Sequence, residues 1–179
     1  MKGIIFNLFE EVVVSEHGDD VWEDMLEQAG VDGAYTAVGS YPDHQFISLL
    51  GAMPSGGDQS TPDLLRWFGA KAIPLLAGRY PVFFEGHTST RSFLLTLNDI
   101  IHPEVRKLYP DADVPVFDFD TPSTNGTLVV GYRSARKLCS LAEGFIDGAA
   151  EHFGEHVTIE QPQCMHRGDE RCELVCWFA

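Results

Sequence analysis

Apolar side chains recur with a helical period through the first part of the chain. Ile5, Leu8, Phe9, Val12 and Val13 fall at three- and four-residue spacing and predict a helix over 4–14. Val21, Trp22, Met25 and Leu26 do the same for 21–29, with Gly18-Asp19-Asp20 at the entry and Gly30 just past the end. Pro42-Asp43 opens a helix carrying Phe46, Leu49 and Leu50, and Ser55-Gly56-Gly57-Asp58 marks a loop. Pro62 starts a longer helix through Leu64, Leu65, Trp67 and Phe68 towards Leu76, with Pro74 as a bend. The helical pattern resumes over 89–97.

Beyond Pro115 the period changes. Val114–Phe119 and Thr127–Tyr132 read as strands, joined by a hairpin turn at Ser123-Thr124-Asn125-Gly126. A helix over 136–153 comes next. Val157–Gln161 and Cys172–Phe178 then read as closing strands around a loop at Gly168-Asp169. The expected class is α+β: a helical N-terminal part, about 1–110, followed by an antiparallel sheet with a long helix, about 111–179. There is no internal repeat, and 179 residues suit one domain, 1–179, with a sizeable core.

Charge narrows the partners. The chain carries 12 Lys+Arg against 27 Asp+Glu, a net charge of -15. That opposes non-specific binding to nucleic acid or anionic lipid. No apolar run approaches the roughly 20 residues that span a bilayer, and Met1-Lys2-Gly3-Ile4-Ile5 lacks the pattern of a signal peptide. The cytoplasm is the expected location. No Ser-His-Asp ordering, P-loop or paired-glycine nucleotide motif is present, so an enzyme is not expected.

Two features carry chemistry. Tyr132-Arg133-Ser134-Ala135-Arg136 comes after an apolar run. If it is strand, Tyr132, Ser134 and Arg136 share one face. A phenol, a hydroxyl and a guanidinium together make a clamp for a carboxylate or phosphate. The second feature is His102, set among Leu95, Asn98, Val105 and Tyr109 on a mainly apolar stretch. A core histidine satisfied by hydrogen bonds and a metal ligand are both open readings. Pro103 directly after it predicts a helix break there, with the proline opening a new turn.

His102, the stretch Val114-Pro115-Val116-Phe117 and the Tyr-x-Ser-x-Arg trio, together with Ala142-Glu143-Gly144-Phe145, resemble the haem-nitric oxide/oxygen binding (H-NOX) domain. This sensor module is also found at the start of soluble guanylate cyclase subunits. The resemblance covers essentially the whole chain. It implies a haem b buried between the helical and sheet parts, with His102 as the proximal iron ligand. It also implies that Tyr132, Ser134 and Arg136 bind the propionates. Ile5, Leu76, Pro115, Phe117, Leu141 and Phe145 are the expected pocket walls, with Pro115 pressing on the ring. Oxygen-binding members place a tyrosine where Leu141 aligns and an asparagine where Ala72 aligns. Here both are apolar, although a small slip in alignment brings Ser140 to the haem. The resemblance therefore implies a nitric oxide sensor that discriminates against oxygen and also binds CO. Loss of the His102–iron bond is expected to shift its conformation. Relatives of this kind act on a histidine kinase or a diguanylate cyclase, so a separate signalling partner is expected.

Cys139, Cys164 and Cys172 form a further constellation. In a chain with no secretory signal, metal or thiol chemistry is the first expectation. Some relatives bind zinc at matching positions, with a histidine where this chain has Gln161. His166, two residues from Cys164, is the expected fourth ligand instead. Cys176 is too far along an extended strand from Cys172 to share one site. Two alternatives to the sensor remain: a zinc or thiol redox regulator, and a haem carrier or enzyme.

Overall fold

The computed structural model describes residues 1–54, 59–120 and 126–179. Among the described residues, seven α-helices accompany a four-stranded antiparallel sheet of order β1-β2-β4-β3, with α7 packed against the sheet. The helices are α1 (Gly3–His17), α2 (Asp19–Ala29), α3 (Asp43–Gly51), α4 (Thr61–Arg79), α5 (Thr90–Leu94), α6 (His102–Leu108) and α7 (Cys139–His152). The strands are β1 (Val116–Asp120), β2 (Thr127–Arg133), β3 (Val157–Gln163) and β4 (Cys172–Phe178). The helical-then-sheet order is the α+β class expected from the sequence. The loop read at Ser55–Asp58 and the hairpin turn up to Asn125 lie outside the described residues. No helix among those described is long and apolar enough to cross a membrane.

Two apolar clusters make the core. In the first, Phe6, Phe9, Phe46 and Phe68 interlock at steep ring angles between α1, α3 and α4. In the second, the alternation of β2 and β4 sends Leu128, Val130 and Tyr132, with Cys172, Leu174 and Cys176, inward against Ile146 and Ala149 of α7. α4 and α7 tie the two together. Ser60 caps α4 with a reciprocal Ser60–Asp63 box and Pro62 in the first turn. The helix runs on through Pro74 to Arg79.

Two expectations need correcting. β2 ends at Arg133, so Ser134 and Arg136 are not strand residues and do not share a strand face with Tyr132. The Ser134 hydroxyl accepts from the Arg136 amide at 3.2 Å, and the Lys137 amide donates to the Ser134 carbonyl at 3.1 Å. These bonds close a tight turn in which Lys137 takes the left-handed conformation, φ 52°. For the same reason α7 starts at Cys139 rather than 136, after the Leu138 amide has donated to the Tyr132 hydroxyl at 3.0 Å. The break expected at Pro103 is present. Leu97–Ile101 forms a π turn, His102 opens α6, and Pro103 sits in its first turn, where its missing amide proton costs no helical bond.

A candidate haem cavity and a buried thiol cluster

A cavity of about 430 Å³ opens between the two clusters, a size that accommodates a small cofactor. α1 contributes Ile4, Ile5 and Leu8. α4 contributes Ile73 and Leu76, and α7 contributes Leu141, Ala142, Phe145 and Ile146. Val114, Pro115 and Phe117 line the side leading into β1. Ala72 does not line the cavity: it is fully buried in the helical cluster, so its neighbours Ile73 and Leu76 face the space instead. Ser140 does not line it either.

His102 enters the cavity from the start of α6. Its ring stacks on Phe117, with centroids 5.6 Å apart. Burial, with Arg106 nearby, pushes the imidazole pKa down to about 4, so the ring is neutral at ordinary pH. Among the described residues neither ring nitrogen has a hydrogen-bond partner. A neutral imidazole with free nitrogens in an apolar cavity has the form of a metal ligand. Asn98, in the π turn just before it, donates to the Phe117 carbonyl at 2.6 Å and ties this turn to β1.

Tyr132, Ser134 and Arg136 all reach the same cavity: Tyr132 from β2, the other two from the turn after it. Arg136 is held in place by Asp43, Nε to Oδ2 at 2.8 Å, and by the Asp113 carbonyl. Burial alone would push the Asp43 carboxyl up. Bonds from the Met1 amino group and Arg136 outweigh that and hold it below the usual carboxylate range. Asp43 was not singled out from the sequence, because it comes from α3, far from Arg136 in the chain. Tyr80 and Tyr109 also line the cavity, and their hydroxyls bond each other. Nothing in the sequence patterning marked that pair.

The thiols of Cys139, Cys164 and Cys172 converge, with their sulfurs within 4.8 Å of one another, all three residues buried. Cys164 lies 3.9 Å from Cys139 and 3.9 Å from Cys172. Tetrahedral zinc with ~2.3 Å bonds to sulfur spaces its thiolates ~3.8 Å apart. These separations are therefore far closer to a metal site than to a disulfide. Burial pushes the Cys172 thiol up to about 12. His166 does not join the cluster: it is exposed, and its Nε2 bonds the Lys137 carbonyl at 2.7 Å. Cys176 is buried elsewhere, with its thiol directed at the Leu174 carbonyl.

A family model described as Haem-NO-binding matches residues 2–161. The chain belongs to the H-NOX family. A mutant H-NOX protein from Shewanella oneidensis in its Fe(II) state is 31% identical, with all of this chain and 96% of that one covered and a TM-score of 0.89. The same organism's H-NOX protein in the Fe(II)NO state is 31% identical over all of this chain and 99% of that chain, TM-score 0.88. An unliganded Fe(II) H-NOX protein from K. algicida is 26% identical over all of this chain and 97% of its own, TM-score 0.86. H-NOX domains are haem-based gas sensor modules, and the family binds haem. The residues of this chain fit that group: an apolar slot, one unpartnered neutral imidazole, and a phenol, hydroxyl and guanidinium suited to carboxylates. Arg136→Ala removes the one cation of this trio and leaves the Asp43 carboxylate with the Met1 amino group alone. It is expected to weaken haem retention by roughly tenfold or more, the scale of a lost charge-assisted bond, measured by haem transfer to an excess of a haem acceptor.

Proposed function

We propose that the chain is a single-domain, cytoplasmic sensor of nitric oxide that does not take up oxygen. The observation that carries this reading is the wall built by α1, α4 and α7, whose cavity-facing side chains are all hydrocarbon. A bound haem b supplies a ferrous iron that takes up diatomic gases. His102 binds that iron from α6. Tyr132, Ser134 and Arg136 hold the propionates, and Ile5, Leu76, Phe117, Leu141 and Phe145 pack the ring, with Pro115 pressing against it. Oxygen needs a donor for the partial negative charge it acquires, and the α1–α4–α7 wall offers none. Nitric oxide and CO need none. The Tyr80 hydroxyl, beyond the end of α4, is already engaged by Tyr109. With haem bound, loss of the His102 bond would free α6 to relax and would shift the domain between two conformations. A histidine kinase or a diguanylate cyclase is the kind of partner that reads the shift. Anaerobic absorption spectra of the ferrous protein test the reading. The haem band is expected to move on adding nitric oxide or CO and to form no stable complex with oxygen. A stable oxygen complex removes the discrimination, and no haem band after reconstitution removes the sensor reading.

A second reading concerns the thiols. The convergence of Cys139, Cys164 and Cys172 supports a zinc site, or a thiol redox site, with a fourth ligand other than His166. Protein purified without chelator is expected to carry about one zinc per chain by elemental analysis. Cys164→Ser should remove most of it. A zinc-to-protein ratio near zero ends the zinc reading.

A further inference from the structure

We propose that the Tyr80–Tyr109 hydroxyl pair is the tether that sets the resting position of the His102 helix by fixing its far end to α4. The inference rests on the reading of His102 as the iron ligand.

α6 is seven residues long, and none of its side chains is fully buried. A helix this short has little stability of its own, so its place is set by what it touches. Val105 is only partly buried. The first buried residue after His102 is Tyr109, which caps the helix and whose amide donates to the Val105 carbonyl at 2.8 Å. Tyr109 is therefore rigidly part of α6, two turns beyond His102 and on the same side. Its hydroxyl meets that of Tyr80. Tyr80 is as firmly part of α4, with its amide donating to the Leu76 carbonyl at 2.8 Å. Burial, reinforced by this bond, pushes the Tyr109 phenol well above its usual range, so it stays a neutral donor or acceptor. Both tyrosines line a wall that is mostly hydrocarbon, so a phenol separated from its partner gives up the hydroxyl bond that joins the two helices. The arrangement is a short lever. One end carries the imidazole, and the other is held to the helix that also supplies Ile73 and Leu76 to the cavity. Movement of His102 away from the haem must either break the phenol pair or drag α4.

Tyr80→Phe, Tyr109→Phe and the double variant test this. In the haem-free protein, amide hydrogen exchange over 105–109 is expected to quicken about threefold to tenfold in either single variant, the scale of one net hydrogen bond. The double variant should go no further, and exchange in α1 should stay unchanged. In the haem-loaded ferrous protein, both single variants should shift the iron–histidine stretching frequency in the same direction. Unchanged exchange in α6, or an equal rise in α1, overturns the tether. Tyr80 is the less buried of the two, so Tyr80→Phe carries the test if Tyr109→Phe does not fold. A His102→Ala protein whose ferrous spectrum matches the parent removes the iron-ligand reading instead. It leaves the exchange result for α6 standing by itself.

Discussion

His102→Ala is expected to leave the protein folded while its haem affinity falls by at least about 100-fold. Groups that merely orient a metal ligand are each worth roughly 10–100-fold in affinity, so the ligand itself lies at or above that range. Folding should survive because the imidazole has no hydrogen-bond partner among the described residues to leave stranded. Its aromatic contact with Phe117 is the chief packing loss. The helix does not need it either: the π turn before it and Pro103 after it set the start of α6. The variant opens a space shaped for an imidazole beside Phe117. Free imidazole added to the reconstituted variant is therefore expected to restore much of the lost affinity and a ferrous spectrum close to the parent's. Equilibrium haem titration and absorption spectra check both. Parent-like affinity and spectrum in the variant would assign the iron to another group and return His102 to the core.

Part of this cavity was legible from periodic elements and part only from the resemblance to the family. The apolar period puts Ile5 on the inner face of α1 and Leu141 and Phe145 one turn apart on α7, which by itself makes them core; the resemblance is what implied that they wall a cofactor. Tyr132 was equally accessible from strand alternation. Ser134 and Arg136 reach the cavity by a different route from the one alternation implied. A hydroxyl-to-amide bond and a left-handed lysine end the strand at Arg133, and a period-2 pattern has no way to register that. Ala72 shows the limit on helices: a shift of one residue, about 100° around the axis, separates a core position from a cavity position. What stayed hidden depends on long-range pairing. Asp43 with Arg136, Tyr80 with Tyr109 and His166 with the Lys137 carbonyl each join segments that no local pattern connects. Nearness to Cys164 in sequence places His166 beside the thiols, yet the short helical turn Met165–Arg167 carries it outward.

Gly144→Ala is expected to destabilise the protein by about 2–3 kcal/mol although it adds a single methyl group. α4 and α7 approach so closely that their backbones touch. A methyl on Gly144 meets the Arg66 carbonyl oxygen at 2.1 Å, one on Gly69 meets the Leu141 carbonyl at 2.6 Å, and one on Gly148 meets the Ala70 carbonyl at 2.5 Å. Each obstacle is main chain, which cannot swing aside as a side chain does, so the two helices must move apart. The intrinsic preference of helices for alanine over glycine returns about 1 kcal/mol, too little to offset strain at the top of the overpacking range. Separation also stretches the bidentate Arg66–Asp147 pair, 2.6 and 3.1 Å, that flanks the contact. Gly78→Ala is the control. Gly78 lies near the end of α4 with open space where a methyl would go, and the same substitution there should stabilise by about 0.5–1 kcal/mol. Thermal unfolding should therefore move in opposite directions, down by about 4–12 °C for Gly144→Ala and slightly up for Gly78→Ala. Because α4 and α7 both face the cavity, the strain reaches the site. The Gly144→Ala protein should also hold haem less tightly than Gly78→Ala at a temperature where both are folded. Equal retention would mean that the cavity does not depend on how closely these two helices pack.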